Sequence, residues 1–330
     1  MNLIFLCPAK RKAVGGVKVI YLAAQLCQEI LGNSGCAQVL HPNRPWFKPR
    51  WTELHAKTKR AWFKWRWDGK PSWTGIGRVF NPANDVVVIP EVWVRKYARQ
   101  LYDANIPYVI FVQNGYWVTK GDRNSITQSY QNAHAIWSVS EDTTRCIVEG
   151  FGCKPSRIQL VHPAVGEAFQ PAHEKAKVIS YMPRKLGQHA ALVRHFTENK
   201  LSPEWVWDRI ENVPESEVAR RLGRSSLFLS FSELEGLGLP PIEAALCGNR
   251  VIGYTGQGGN TYWSSPVFTR IECGDILGFA DAIVAATQVR ESESLHADWT
   301  QTLNHLRQTY SQQTLQRDLT AALDDLHVRR

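Results

Sequence analysis

The sequence predicts an α/β protein built from two Rossmann-like, doubly wound halves. Three observations carry this. Short, continuous apolar runs of strand length alternate with stretches that place apolar residues at helical spacing. That alternation breaks once, in the polar, proline-containing stretch GEAFQPAHEKA (166–176), and then restarts. With 330 residues, 44% of them hydrophobic, the chain can bury two cores of ordinary size, and at 21% charged residues it is not a disordered polymer.

The first half opens on NLIFLCPA, an apolar strand, followed by KRKAVGG and the amphipathic VKVIYLAAQLCQEILG. CAQVLHP supplies a second strand, and strand, glycine turn, helix, strand is how a doubly wound domain begins. DVVVIPE (85–91), IPYVIFVQN (106–114), AIWSVS (135–140) and RIQLVHP (157–163) continue the strand series, with helical stretches at 92–104, 124–134 and 141–151 between them. After the break, KVISYM, EWVWDRI, SLFLSFS, NRVIGYT and VFTRIE read as strands, and about 214–223, 241–248 and 274–288 as helices. The last stretch, 301–325, is helical and amphipathic. Expected domains are 1–168, 175–302, and a terminal helical segment 303–330.

Candidate chemistry concentrates in SFSELEGLGLPPIEAALCGNRVIGYTGQGGN (230–260). A strand ends at Ser230–Ser232. A glycine turn follows (Gly236, Leu237, Gly238, Leu239), and Pro240–Pro241 open a helix, where a missing N–H costs nothing. The free N–H groups and positive dipole end of that helix suit a phosphate. Glu235 on the loop and Glu243, expected in the first helical turn, frame the site. A carboxylate accepts two hydroxyl hydrogen bonds, as vicinal ribose hydroxyls require. Taken singly, each glutamate could merely favour the helix N-terminus. Gly256, Gly258 and Gly259 then end the next strand and offer further backbone donors for a diphosphate.

This stretch, E-G-x-G-L-P-P-x-E-A with seven residues between the glutamates, then C-G and a downstream G-G, resembles the signature of glycosyltransferase family 4. SVSEDTTRCIVEGFGCKPSRIQLVHPAV, KVISYMPRK and ENVPESEVARRLGRSSLFLSFS extend the resemblance over most of the chain. It implies the GT-B fold, two Rossmann-like domains facing a cleft, with the C-terminal helix returning to the N-terminal domain. It also implies a retaining, metal-independent transfer of a sugar from a nucleotide-diphosphate donor, with no further cofactor. Position by position, Glu243 would hold the ribose hydroxyls and Glu235 the donor sugar or its phosphate. Arg184, with Lys185, would neutralise the diphosphate. Gly15 and Gly16 would approach it from the other domain, and Val213, in the loop Glu211–Val213, would flank the base. The sequence departs from the family in three places: His189 stands where a second Lys is usual, Gln113 or Asn114 where an N-domain His is usual, and Asn260 where an acid is usual. The expected function is a hexosyltransferase-like enzyme of cell-surface polysaccharide synthesis. The alternative is a nucleotide-sugar-binding protein of the same fold that does not transfer.

Glu91 and Gln113, with Asn114, fall at strand ends of the first half, where α/β sheets place ligands, and are candidate acceptor contacts. For Glu91 a first-turn helix acid is an equally good reading. Net charge is +9, and its excess is local: between Arg44 and Lys70 nine Lys/Arg face two acids, with six tryptophans between 46 and 73. Such a segment suits a glycan or lipid-linked acceptor or an anionic membrane surface (44–73), or else packs half its rings on the domain. Nucleic acid is disfavoured, because the two-glutamate region would then have no purpose. A nicotinamide dehydrogenase is disfavoured because AVGGVKV lacks G-x-G-x-x-G. Seven scattered cysteines without a C-x-x-C pair argue against zinc and disulfides. The opening MNLIFLCPAKRK is the reverse of a signal peptide and reads as a first buried strand; with the unpaired cysteines a cytoplasmic location is expected, peripheral on the inner membrane face if the basic aromatic segment meets anionic lipid.

Overall fold

The structure is a computed structural model. It describes residues 1–12, 14–42, 44, 46–52, 54, 56–59, 64–65, 71–72, 79–117, 122–183, 185–288 and 293–328. Arg184 lies outside the described residues, as do Trp62, Trp67, Trp73 and much of the basic segment. The chain divides into two compact units, Met1–Pro163 with Gln313–Arg330, and Ala164–Gln312.

The first unit carries a six-stranded, wholly parallel sheet. Its strands are β1 (Asn2–Leu6), β2 (Cys36–Leu40), β5 (Asp85–Pro90), β6 (Tyr108–Val112), β7 (Ala135–Ser138) and β8 (Ile158–Leu160), in the order β2-β1-β5-β6-β7-β8. The central strands are apolar runs because a parallel sheet is covered on both faces there; all six residues of β5 are buried, whereas the edge strand β8 is only half-buried. Phe5, Phe111 and Trp137 meet across three of these strands. A short antiparallel pair, β3 (Lys64–Trp65) with β4 (Pro71–Ser72), lies in the basic segment, where the sequence suggested no strands.

The helices follow from their patterns. In α1 (Gly15–Leu31), Val17, Ile20, Tyr21, Ala24 and Leu31 recur at helical spacing and are buried. In α2 (Val94–Asp103), Val94, Tyr97, Ala98 and Leu101 form the buried stripe. Asp122 caps α3 (Arg123–Gln131) by accepting Ser125 N–H at 2.7 Å. Ser140 caps α4 (Glu141–Phe151) in the same way, and the left-handed Gly152 ends it.

The second unit has a five-stranded parallel sheet, β10-β9-β11-β12-β13, from β9 (Ala176–Tyr181), β10 (Val206–Arg209), β11 (Ser225–Glu235), β12 (Arg250–Gln257) and β13 (Phe268–Arg270). Its helices are α5 (Gly187–Glu198), α6 (Glu215–Arg224), α7 (Leu239–Leu246), α8 (Ile276–Gln288) and α9 (Glu293–Thr309). Asn249, fully buried, fastens α6 to α7: its amide donates to Leu222 C=O at 2.8 Å and Ala244 C=O at 2.9 Å.

The C-terminal helical stretch is two helices, since the chain turns after Tyr310. Val165 N–H binds Tyr310 C=O at 2.9 Å in the second unit. The final helix, α10 (Gln312–Val328), is fastened to the first unit by His162 against Asp318 (2.7 Å) and Gln159 against Asp325 (2.7 Å). In both sheets the strand order reverses once, between β1 and β5 and between β9 and β11. Crevices at such reversals, beyond the strand C-termini, are where open α/β sheets bind ligands.

Candidate functional site

In the second unit the reversal falls where the sequence placed the chemistry. Lys185 follows β9 and Glu235 ends β11. Lys185 Nζ lies 3.0 Å from Glu235 Oε1 and donates to Leu234 C=O at 3.3 Å. The pair is partly exposed, so its worth in stability is small, on the order of 1 kcal/mol or less. What it does is hold a cation beside the strand reversal.

Behind the pair, two glycine turns lie against each other. β11 and β12 run parallel as far as Glu235 opposite Gln257, with an irregularity after Ser232 that bends the strand end. A Cβ on Gly258 would overlap the Gly236 carbonyl and stand 2.7 Å from Glu235 O, so only glycine allows this approach. Tyr262, buried just beyond, donates from its hydroxyl to Gly238 C=O at 2.7 Å and fixes the turn from below. Burial pushes that phenol far above its ordinary value, so it stays a donor.

α7 begins at Leu239 rather than at the prolines, capped by Gly238 at φ 83°. Pro240 and Pro241 are therefore its second and third residues. Glu243 consequently sits fifth, in the second turn and not the first, so direct compensation of the helix N-terminus is not its role. It is only partly buried.

His189, in the place where the family's second Lys was expected, is turned to another use. Its Nδ1 lies 3.1 Å from Tyr254 Oη, and the two rings meet edge to face at 5.7 Å. Lys185 is thus the described cation at this strand end. Val213 stands in the loop between β10 and α6, on the same edge of the sheet. Asn260 donates to Gln257 Oε1 at 3.4 Å and shapes the second turn.

In the first unit, the structure brings Gly16, Glu91 and Gln113 together at the other reversal. Gln113 Oε1 packs on Gly16, 2.9 Å from where a Cβ would be. Glu91 Oε2 accepts the backbone N–H of Gln113 at 3.2 Å. It thus bridges two strand ends while also standing, as the sequence allowed, in the first turn of the short helix Glu91–Trp93 that leads into α2. Burial pushes the Glu91 carboxyl up to about 7, against the opposing pull of that hydrogen bond. Gly15, by contrast, has open space on its Cβ side. Asn114 is spent on its own turn, its Oδ1 accepting Tyr116 N–H at 2.9 Å.

Tyr262 and Tyr254 were not singled out from the sequence. Their partners lie 24 and 65 residues away, and neither stands in a recognisable spacing. Among the described residues no group of three or more His, Cys, Asp or Glu is placed to hold a metal ion. No helix among them is long and apolar enough to cross a membrane.

Comparison with solved structures shows the fold. HepE of Anabaena, solved with UDP and glucose, superposes with a TM-score of 0.71 at 11% identity, covering 98% of this chain and 99% of that one. Sucrose-phosphate synthase of Thermosynechococcus elongatus gives 0.69 at 11% identity over the whole of both chains. A TarM variant of S. aureus, solved with fondaparinux, α-GlcNAc-glycerol and UDP, gives 0.66 at 10% identity, with 98% and 99% covered. The fold is GT-B. Among curated proteins, an α-1,6-glucosyltransferase of Actinobacillus pleuropneumoniae is 26% identical over 189 residues, 53% of this chain. The match spans 54% of that protein's length. No protein-family profile matches the chain.

Proposed function

We propose that the chain is a retaining, metal-independent glycosyltransferase that moves a hexose from a uridine-diphosphate sugar to a hydroxyl of a glycan acceptor. One observation carries the reading: the Lys185–Glu235 pair stands at the strand reversal of the second unit, backed by two glycine turns in contact. The glucosyltransferase similarity and the UDP complexes of structural neighbours support the donor class.

In this reading the diphosphate meets the N–H groups of Gly236–Leu239 and the α7 dipole, and Lys185 exchanges part of its contact with Glu235 for a phosphate oxygen. Arg184, adjacent in sequence, shares that charge. Glu243 takes the ribose hydroxyls, and Glu235 turns to the donor sugar. In the transfer, the acceptor oxygen forms its bond to the anomeric carbon as the bond to the β-phosphate breaks, and the acceptor proton passes to the departing phosphate. The protein contributes positioning and stabilisation of the growing charge, which needs no protein nucleophile. Gly16 and Gln113 serve the acceptor side. A role in cell-surface polysaccharide synthesis at the inner face of the membrane fits such an acceptor.

A melting experiment without added metal tests this. UDP and UDP-glucose stabilise the wild-type chain more than GDP or ADP do, and Glu243→Ala loses the shift while melting normally in buffer. If no nucleotide raises the wild-type melting temperature, the transferase reading fails. If nucleotides bind but no acceptor ever releases UDP, the chain is a nucleotide-sugar-binding protein instead.

A further inference from the structure

The donor machinery leaves one charged surface unused, and it lies in the first unit at the C-terminal edge of the sheet. The loop after β1 exposes Lys10, Arg11 and Lys12. The segment after β2 exposes Arg44, Lys48 and Arg50. β1 and β2 are adjacent parallel strands, in register from Asn2–Cys36 to Leu6–Leu40, so their following loops leave the sheet about 5 Å apart. The two loops are also joined directly: Trp51 Nε1 donates to Lys10 C=O at 2.8 Å.

The base of this surface is fixed. His41, directly after β2, is buried between Cys7 C=O (2.7 Å, at Nδ1) and the Tyr21 hydroxyl (2.7 Å, at Nε2). A carbonyl only accepts, so Nδ1 carries the proton and Tyr21 donates to Nε2. Burial pushes the His41 imidazole down, which keeps it in this neutral form. Phe47 sets its ring edge against His41 at 5.0 Å.

Counter-charge is scarce. From residue 7 to 59 the sequence holds nine Lys/Arg and two acids, Glu29 and Glu53. Glu29 lies near the C-terminal end of α1, which runs back toward the opposite edge of the sheet. The cations therefore lie along the same sheet edge as Gly16, Glu91 and Gln113, because β5 is the next strand beyond β1.

We infer that this edge is an acceptor subsite for an anionic oligosaccharide, one whose sugar chain carries phosphate or carboxylate groups beside the hydroxyl that is glycosylated. The inference rests on the transferase reading and narrows its acceptor. The reacting sugar sits at Gln113 and Glu91, and the anionic groups of the chain extend along Lys10–Lys12 toward Arg44–Arg50. Trp46, 57% exposed, offers a ring face to a sugar. A membrane surface fits less well: Trp51 is hydrogen-bonded to the neighbouring loop and Phe47 is packed on His41, so neither ring is placed to insert.

Isothermal titration of the full chain in the presence of UDP tests the assignment with three probes: an oligogalacturonate, a glycerol-phosphate oligomer and neutral isomaltotriose. At least one anionic probe binds ten-fold or more tightly than isomaltotriose, and its affinity falls as salt rises. Replacing Lys10, Arg11 and Lys12 together by Ala removes most of that margin, with the melting temperature in buffer retained because all three side chains are exposed. Gln113→Leu, which leaves the edge charge intact, also weakens the anionic probe; unchanged binding there shows non-specific adsorption and overturns the subsite. Equal affinity for isomaltotriose overturns it as well. So does sedimentation with phosphatidylglycerol vesicles when neither anionic oligosaccharide binds, an outcome that assigns the edge to a membrane. The UDP-induced melting shift keeps the two readings apart: its absence sinks the transferase, whereas its presence with any of these outcomes sinks only the anionic acceptor.

Discussion

Gly258→Ala probes the contact between the two glycine turns. The added methyl meets main chain, the Gly236 carbonyl and Glu235 O at 2.7 Å, and main chain cannot rotate away as a side-chain tip can. Overpacking of this kind costs about 1–3 kcal/mol, and the rigid partners place it near the upper end. For the second unit, about 150 residues long, that lowers its melting temperature by about 6–12 °C. The strain is relieved by parting the turns on the order of 1 Å, which displaces Glu235 relative to the α7 N-terminus; misplacement of that size costs on the order of 100-fold in turnover. Differential scanning fluorimetry, with and without UDP, reads the first effect, and the rate of UDP release from UDP-glucose reads the second. The control is Gly187→Ala at the first residue of α5, where nothing lies within 4 Å of the new Cβ. That variant melts at or slightly above the wild type, by reducing the freedom of the unfolded chain. If Gly258→Ala melts with the wild type and keeps the full UDP shift, the close approach of the turns is not what shapes this site.

Glu91 has a folded-state carboxyl pushed up to about 7 from an ordinary 4.5. The folded chain therefore holds more protons than the unfolded chain in that interval, and the stability from Glu91 is complete below about 4.5 and lost as pH rises through 7. Glu91→Gln, which still accepts the Gln113 N–H, should raise the melting temperature at pH 8 and leave it near wild type at pH 4.5. Asn249→Leu removes the two amide hydrogen bonds that tie α6 to α7, while Leu222 C=O keeps Lys175 Nζ and Ala244 C=O keeps the backbone N–H of position 249; urea unfolding should show a loss of about 1–2 kcal/mol. For Asp318, burial opposes ionisation, but the ring and backbone N–H of His162, with Arg317, outweigh it and hold the carboxyl below its ordinary 3.8. Its contribution is present above that value and lost as pH falls below it. Hydrogen exchange in α10 should accelerate under such acid in the wild type, and Asp318→Asn should exchange faster already at pH 7.

Much of this architecture was legible in the chain. β5 and β6 announced themselves as buried parallel strands because nothing but a two-sided cover explains DVVVIP and YVIFV. The glycine turn between β11 and α7 was legible because glycines, prolines and two carboxylates occur together at a strand end. The start of α7 was misread by one residue: the prolines looked like its opening, whereas Leu239 begins it after the Gly238 cap and Glu243 falls in the second turn. The diversion of His189 to Tyr254 could not be read, since local spacing says nothing of a partner 65 residues on. The same holds for Tyr262, whose use is to brace carbonyls rather than to contact a ligand. The short β3–β4 pairing carries too few residues to impose a period of two on the sequence.

The Lys185–Glu235 pair bears on discrimination among anions. A bare ammonium at a strand reversal would collect any small anion in the cell. Here a tethered carboxylate already occupies it, and a newcomer must outcompete a neighbour that never diffuses away. Inorganic phosphate brings little beyond its charge. A sugar nucleotide brings a ribose, a base and a hexose as well, and the hexose gives the released carboxylate a new partner. On the transferase reading the site is thereby graded by how much of the whole donor arrives, so fragments gain entry poorly even where their charge is sufficient.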